Sequence, residues 1–548
     1  MSKSRIVNSI FSGNNMNRKK NLAIVRGAWK QPPSQMPFGS TQAAHLILRG
    51  IVNSGLYKHI DLYEDENLGQ EFLRGNVTYR NYDVSSLSQS KQNYHAIYVS
   101  VDPMRRVSHA LRQINDYAPI ISDVGTSHFD LQWQNYFIAR TSHLIRPTDG
   151  IIFKSGRTQS LFKLMWSEWN KIYEFMPFPE STIIANGIDT VANQRDLLLR
   201  KETREFLGLK QTDIVFLAFS RLAPSTKIDY EALVVIWKKI VDENPNAILL
   251  LAGSIVTYPD HLDFPQRLSA LSRDLGIANN VIVFGNPYDV FADAKTSLMS
   301  AADVFVHTTK GVEETSSLVI LEAMAHELPV LVSDWSGFSE IVKHGINGFV
   351  IDTYSSNVLP VLKQMFSSEL SSNYNGKLES HVFVSPDQII KSISFLIKNK
   401  QKRIIMGKKS KQDVSDNFSI TYLVKHRLDF FDNVSRNARQ EWSKLKEFYS
   451  KPSPLVNVDL VINQLASKTV KPSTQFQISD VNMIKFIPEM EDKNFSKISQ
   501  LIISILKKER MLSAAQIAKI IYKVDTSQFD LENIWPYFSL VLIRLLSF

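Results

Sequence analysis

The 548-residue chain contains no cysteine. Disulfides, thiolate metal sites and cysteine nucleophiles are therefore excluded, and a reducing cytoplasm is the compartment that fits. Uninterrupted apolar stretches long enough to cross a bilayer are also missing. The nearest candidate, Ile534 to Phe548, is short and contains Arg544. The basic start, Met1-Ser2-Lys3-Ser4-Arg5, is followed by no long apolar run, so a signal peptide is not expected. Neither a zinc-ligand spacing nor an RNP-like aromatic pattern occurs, which argues against a nucleic-acid partner. Acidic residues fall short of basic ones, 54 against 63, leaving a formal charge of +9. The cations are spread along the chain. Their excess fits attraction to an anionic lipid face or a phosphorylated acceptor at least as well as to a polynucleotide.

What is present is an ordinary globular composition, 44% hydrophobic and 21% charged, in a chain too long for one core. Residues 1–20 are polar and basic and read as a disordered leader. Short apolar runs then alternate with amphipathic stretches. Strands are expected at Leu22–Val25, Ile60–Tyr63, Ala96–Val101, Pro119–Asp123, Gly150–Lys154 and Ser181–Ala185, with a helix from near Thr41. A polar stretch, Gln194–Thr203, separates these from a second series. Its strands are expected at Ile214–Ser220, Ala247–Ala252, Val281–Phe284, Val304–Thr308, Pro329–Ser333 and Gly348–Asp352. Helices are expected at Asp229–Glu243, Pro265–Leu275 and Thr296–Ala301. This order predicts an α/β protein of two tandem Rossmann-like, doubly wound parallel-sheet domains, residues 21–195 and 205–420. Long charged helices follow over 421–455. A Ser/Thr/Pro-containing linker spans about 466–480. A helical extension, 481–548, shows periodicity at Ile498–Leu506, Ala514–Tyr522 and Leu531–Leu546.

The richest stretch runs from Glu313 to Ala325. Glu314 and Glu322 stand eight positions apart across a loop-to-helix junction. Thr315, Ser316 and Ser317 are natural N-caps, and Leu318 begins a helix-forming run. The helix N-terminus offers unpaired N–H groups and a positive dipole end, which suit a phosphate. Glu322 interrupts an apolar face, where a lone carboxylate is costly without a donor such as a ligand hydroxyl. Leu328–Asp334 then reads as a buried strand whose polar end faces a crevice.

This segment, with Asp334–Val342 and His344–Val350, resembles the E-x7-E region of retaining, nucleotide-sugar-dependent glycosyltransferases of family 4, which have the GT-B fold. The resemblance implies transfer of a sugar to a hydroxyl acceptor without a bound metal or cofactor, the nucleotide sugar being a substrate. Glu314 would hold donor-sugar hydroxyls and Glu322 the ribose. Ser316, Ser317 and Leu318 would contact the donor at the helix start. Arg221-Leu222, with Lys227 further on, is similar to the family's R-L-x(3–4)-K segment, whose cations take the donor diphosphate. Asn186-Gly187-Ile188-Asp189 resembles its N-G-V/I-D turn, where Gly187 would allow a tight or left-handed turn. Phe38-Gly39-Ser40-Thr41 resembles its first glycine loop. Gly39 would admit backbone close to a ligand, and Ser40 would cap the helix. Asp123–Phe129 resembles its T-x-H-S segment, which places His128 at the donor sugar, with Phe129 in the Ser position. Asp149 and Ser155 resemble a strand end and read as shaping it. The sequence departs from the family's E-x-F-G-L, since Ser316 and Ser317 replace Phe and Gly. That departure keeps open a catalytically weak, glycosyltransferase-like scaffold or partner subunit. Further expectations are a carbohydrate, lipid-linked or protein-linked acceptor, peripheral contact with the inner membrane face, self-association through 481–548, and no nucleic acid.

Overall fold

A computed structural model of the chain describes residues 20–25, 39–64, 72–81, 93–99, 118–124, 145–170, 178–224, 228–255, 262–311, 314–356 and 382–449, with 475–477 and 511–513. Within residues 1–448 two sheets carry the fold. The first comprises β1 (Asn21–Val25), β2 (His59–Glu64), β3 (Phe72–Arg74), β4 (Val77–Asn81), β5 (Tyr94–Val99), β6 (Ile120–Val124), β7 (Gly150–Phe153) and β8 (Glu180–Ile183). Their order is β3-β4-β2-β1-β5-β6-β7-β8, parallel except where β3 pairs antiparallel with β4. Helices α1 (Gly39–Asn53) and α2 (Gly156–Asn170) belong to this half.

The second sheet comprises β9 (Ile214–Phe219), β10 (Ala247–Gly253), β11 (Val281–Gly285), β12 (Val304–His307), β13 (Val330–Ser333) and β14 (Gly348–Ile351). Its order, β11-β10-β9-β12-β13-β14, is parallel throughout and reverses between β9 and β12. That reversal opens a crevice at the carboxyl ends of the two strands, where doubly wound sheets take their ligands. Helices α3 (Leu197–Phe206), α4 (Tyr230–Glu243), α5 (Phe264–Asp274), α6 (Ala294–Ala301), α7 (Leu318–Ala325), α8 (Phe338–Ile341), α9 (Pro386–Lys398) and α10 (Lys400–Asn417) accompany it. Two further strands, β15 (Thr353–Ser355) and β16 (Val382–Val384), pair antiparallel. A 30-residue helix, α11 (Ile420–Tyr449), returns to the first sheet. There Val424, Phe431 and Val434 join Leu22, Ile24 and Ile121 in one core. β9, β10 and β12 are buried almost end to end, which is why they read as continuous apolar runs.

Four expectations change. The polar stretch Gln194–Thr203 contains the start of α3, capped by Asp196. The helix expected near Thr41 begins at Gly39, so Ser40 lies within its first turn. Lys20, the last leader residue, pairs with Asp432 at 2.8 Å. Within the expected linker 466–480, β17 (Gln475–Gln477) pairs antiparallel with β18 (Met511–Ser513). The three helical stretches expected in 481–548 lie outside the described residues, as does the leader before Lys20. Among the described residues, no helix is long and apolar enough to cross a membrane.

Candidate active site

β9 delivers Arg221 and β12 delivers Glu314, so the two groups expected to hold a diphosphate and a sugar come from the strands flanking the topological reversal. Arg221 is half-buried, and its approach is fixed by Gly253 at the end of β10. A Cβ on Gly253 would stand 1.6 Å from the Ser220 carbonyl oxygen, so only glycine lets the two chains pass. Ser220 N–H donates to Ala252, and Leu222 N–H donates to Ser254.

The loop that carries Glu314 is pinned through its own carbonyls. Ser333 Oγ donates to the Thr309 carbonyl at 2.6 Å, and Trp335 Nε1 donates to Gly311 at 2.8 Å. Gly337 N–H donates to Thr315 at 3.0 Å. Asn186 Nδ2, from the turn after β8, donates to Ser316 at 2.8 Å. Three of the four donors thus come from the carboxyl end of β13 and the turn beyond it, where Ser336 adopts a left-handed φ of 48°. Gly337 is again required by space: a Cβ there would meet Thr315 O at 2.5 Å and Ser155 Cβ at 2.6 Å. Glu314 itself is half-buried. A side chain presented from a loop held at four points is preorganised, and that is what positioning catalysis requires.

Ser317 occupies the N-cap position of α7, but its hydroxyl does not cap the helix, contrary to the expectation for this Thr-Ser-Ser run. Ser316 is buried, and among the described residues its hydroxyl has no hydrogen-bond partner. The N-terminus of α7 is therefore uncapped by Ser317 and carries a buried hydroxyl beside it. Glu322 lies on the fifth residue of α7, 7% exposed. Its carboxylate does not stand alone: Lys295, from the first turn of α6, pairs with Oε1. The same ammonium donates to Gln42 Oε1 at 3.2 Å, on α1 of the first sheet's half. Lys295 was not legible as a site residue, because it sits in an unremarkable polar turn and meets Glu322 only through the fold.

The halves meet again beyond the Glu314 loop. The Glu340 carboxylate accepts the Gly156 N–H at 2.9 Å and the Arg157 N–H at 3.2 Å, so it covers the start of α2. Arg157 pairs with Asp334 at 2.8 Å. Ser155 caps the same helix, its Oγ accepting the Thr158 N–H at 3.2 Å. Asp149 accepts N–H groups of Ile120 and Arg146, at 2.9 and 2.8 Å, and holds the entry to β7. Both residues shape strand and helix ends, as expected. Gly187 has no left-handed φ. Its lack of a side chain matters because Ile420 Cα and Phe418 O lie within 3.1 and 3.3 Å of where a Cβ would be. Lys227 and His128 fall outside the described residues. Gly39 and Ser40 are placed only as backbone of α1.

The architecture is the GT-B fold. The crystal structure of HepE from Anabaena, in complex with UDP and glucose, superposes with a TM-score of 0.52 at 16% identity, covering 75% of this chain and 99% of that one. A glycosyltransferase from Rickettsia africae superposes with a TM-score of 0.54 at 12% identity, covering 76% and 99%. In sequence, residues 200–360 match the family model described as glycosyl transferases group 1. That span holds Arg221, Glu314 and Glu322. The lipopolysaccharide glucosyltransferase WaaG of Escherichia coli K12 is 34% identical over 213 residues, 36% of this chain and 50% of WaaG. The UDP-Gal:alpha-D-GlcNAc-diphosphoundecaprenol alpha-1,3-galactosyltransferase of Escherichia coli is 27% identical over 209 residues, 36% of this chain and 49% of that enzyme. The chain spans about half the length of the curated relatives it matches.

Proposed function

We propose that the chain moves a hexose from a nucleotide-sugar donor to a hydroxyl acceptor, with retention of anomeric configuration and without a metal, in polysaccharide or glycoconjugate assembly. The carrying observation is the Glu314 loop, held at four carbonyls beside the strand end that presents Arg221. In this reading Glu314 holds sugar hydroxyls near the reacting carbon. Arg221 and Lys227 take the departing diphosphate, together with the α7 N-terminus and the Ser316 hydroxyl. The diphosphate itself helps remove the acceptor proton, and the protein supplies positioning and field. Glu322 receives the ribose hydroxyls in exchange for part of its contact with Lys295. Residues 205–420 form the donor-binding domain, and residues 21–195, with His128, Gly39 and Ser40, close on it from the acceptor side.

HepE is bound to UDP and glucose, WaaG is a glucosyltransferase, and a Mycobacterium tuberculosis relative is a GDP-mannose-dependent mannosyltransferase acting on a phosphatidylinositol mannoside. These names support a lipid- or glycan-linked acceptor and make UDP- and GDP-sugars the first donors to try. Work at the inner membrane face is part of the proposal. The outer face of α10 supports it, with exposed Ile404 and Ile405 among Lys402, Lys408 and Lys409. Self-association through 481–548 remains a proposal resting on the sequence.

A catalytically weak scaffold is the second reading, favoured by Ser316-Ser317 and by the cation already on Glu322. A thermal-shift screen of UDP-, GDP- and ADP-sugars, followed by turnover with the best binder, separates the two. Stabilisation with release of free nucleoside diphosphate supports the transferase. Stabilisation without release supports the scaffold, and no stabilisation by any donor refutes both.

A further inference from the structure

Between β14, the last strand of the second sheet, and α9 lies an open cleft of about 450 Å³. His344, Phe349 and Phe395 line it as a row of rings packed edge to face, with centroids 5.3 and 5.6 Å apart. Phe395 stays 40% exposed, although an aromatic ring gains much from burial. Beside the rings stand Asp352, Gln388, Lys391 and Ser392. Gln388 Nε2 donates to Asp352 Oδ2 at 2.7 Å, and the Asp352 N–H donates to Gln388 Oε1 at 2.9 Å. This two-point contact fixes both side chains. It uses one of the two amide N–H groups and one carboxylate oxygen, so a donor and several acceptor lone pairs remain. Both side chains keep access to solvent, Asp352 exposed and Gln388 half-buried.

A second aromatic surface stands at one end of the cleft. β15 begins at Thr353, next to Asp352, and the N–H of Ser385, just past β16, donates to the Asp352 carbonyl at 3.0 Å. Across this hairpin Tyr354 pairs with Phe383, their rings stacked 5.1 Å apart at 18°. A cross-strand pair of this kind steadies a hairpin, yet the two residues remain 48% and 56% exposed. The hairpin also touches the rim of the candidate active site. Thr353 Oγ1 donates to the Asp334 carbonyl at 2.9 Å, and the adjacent Trp335 pins the Glu314 loop.

The chemistry of this surface selects its occupant. Exposed rings suit an apolar C–H face, and fixed amide, carboxylate and hydroxyl groups suit hydroxyls. A pyranose carries both. One lysine and one carboxylate give the lining no excess of cations with which to hold a polyanion. A lipid chain would strip water from Asp352 and Gln388 and offer them no hydrogen bond in return. We infer that the cleft binds a neutral oligosaccharide several units long, its ring faces on Phe349 and Phe395 and its hydroxyls on Asp352 and Gln388, running toward the Tyr354–Phe383 pair. The inference rests on the proposed function for the source of that ligand, which would be the distal part of a glycan acceptor. Holding the acceptor at a second point raises its effective concentration at the crevice and favours long acceptors over short ones.

The test is calorimetric titration of the full-length chain with no donor present, so that binding is read apart from turnover. The probes are maltohexaose, cellohexaose and chitohexaose, with glucose and N-acetylglucosamine as the matching monosaccharides. At least one hexasaccharide should bind at least about tenfold more tightly than its monosaccharide. Its affinity should be the same at low and high salt, as expected for an uncharged ligand. Phe395→Ala, at an exposed position, should weaken that binding by about three- to tenfold, and Gln388→Ala should weaken it likewise. No binding of any hexasaccharide, equal binding of the monosaccharide, a steep loss of affinity with salt, or full affinity in both variants would overturn the inference. Turnover with intact donor use but no hexasaccharide binding would sink this site alone. Hexasaccharide binding without turnover on any donor would sink the proposed transfer alone.

Discussion

Asn186→Ala removes the side chain that ties the Ser316 carbonyl to the interdomain turn. Both residues are buried, 6% and 7% exposed, and the hydrogen bond is 2.8 Å long. Leaving a buried carbonyl unpaired costs about 1–3 kcal/mol. Part of this is returned, because Asn186 Oδ1 is itself buried without a partner among the described residues, and its removal ends that desolvation. The net loss should be about 1 kcal/mol, a fall in Tm of roughly 2 °C. Activity should respond far more. Ser316 is two residues from Glu314, and a shift of about 1 Å in a positioning group costs about a hundredfold in rate. The expected outcome is a 10- to 100-fold fall in kcat, on the order of 1.4–2.7 kcal/mol of barrier. Scanning fluorimetry and single-donor turnover measure the two effects. Asn186→Asp should be worse on both counts, since it sets an acceptor against an acceptor. A variant with lowered Tm and wild-type kcat would refute the view that the pinned loop positions Glu314.

Two further predictions concern charge. Lys295→Met leaves Glu322 buried without its cation. Because Lys295 is partly exposed, the cost should fall below that of a fully buried pair, at about 1–3 kcal/mol, with Lys295→Arg recovering part of it in thermal unfolding. Lys154→Met bears on pH. Folded Lys154 titrates near 8 and an unfolded lysine near 10.5, so below pH 8 both states are protonated and the folded state bears the burden of the buried charge. Between those values the unfolded state binds more protons, and this group's contribution makes stability rise with pH, by on the order of 3 kcal/mol in all. The stability of the wild type relative to Lys154→Met should therefore rise as pH goes from 7.5 towards 10. A stability difference flat across that range would contradict the assignment.

The inner strands of the second sheet, β9, β10, β12 and β13, were legible because they are buried almost end to end and show as unbroken apolar runs. The Glu314–Glu322 spacing and Arg221 were legible because both lie where such strands end. α3 was not. Its pattern is inverted, with Leu197 and Leu198 facing solvent at 75% and 64% exposure while Arg204 is buried at 1%. Arg204 is accommodated by the carbonyls of Ala301, Lys210 and Asp213, partners that no sequence window contains. β3 and β4 were missed because they are short strands at the sheet edge, joined through a left-handed Gly75. Lys295, Glu340 and the Lys154–Asp123–Arg427 cluster were invisible for one shared reason: each gains its meaning from a residue brought near by the fold and far away in the chain.

Glu314→Gln keeps the shape of the side chain and removes its charge, from a loop whose four anchoring hydrogen bonds do not involve that carboxylate. Turnover with the donor found by the screen, measured beside Tm, therefore isolates the role assigned to Glu314. The expected result is a loss of kcat of at least about a hundredfold with Tm within about 1 °C of wild type. Full turnover in that variant would show that Glu314 does not hold the reacting sugar.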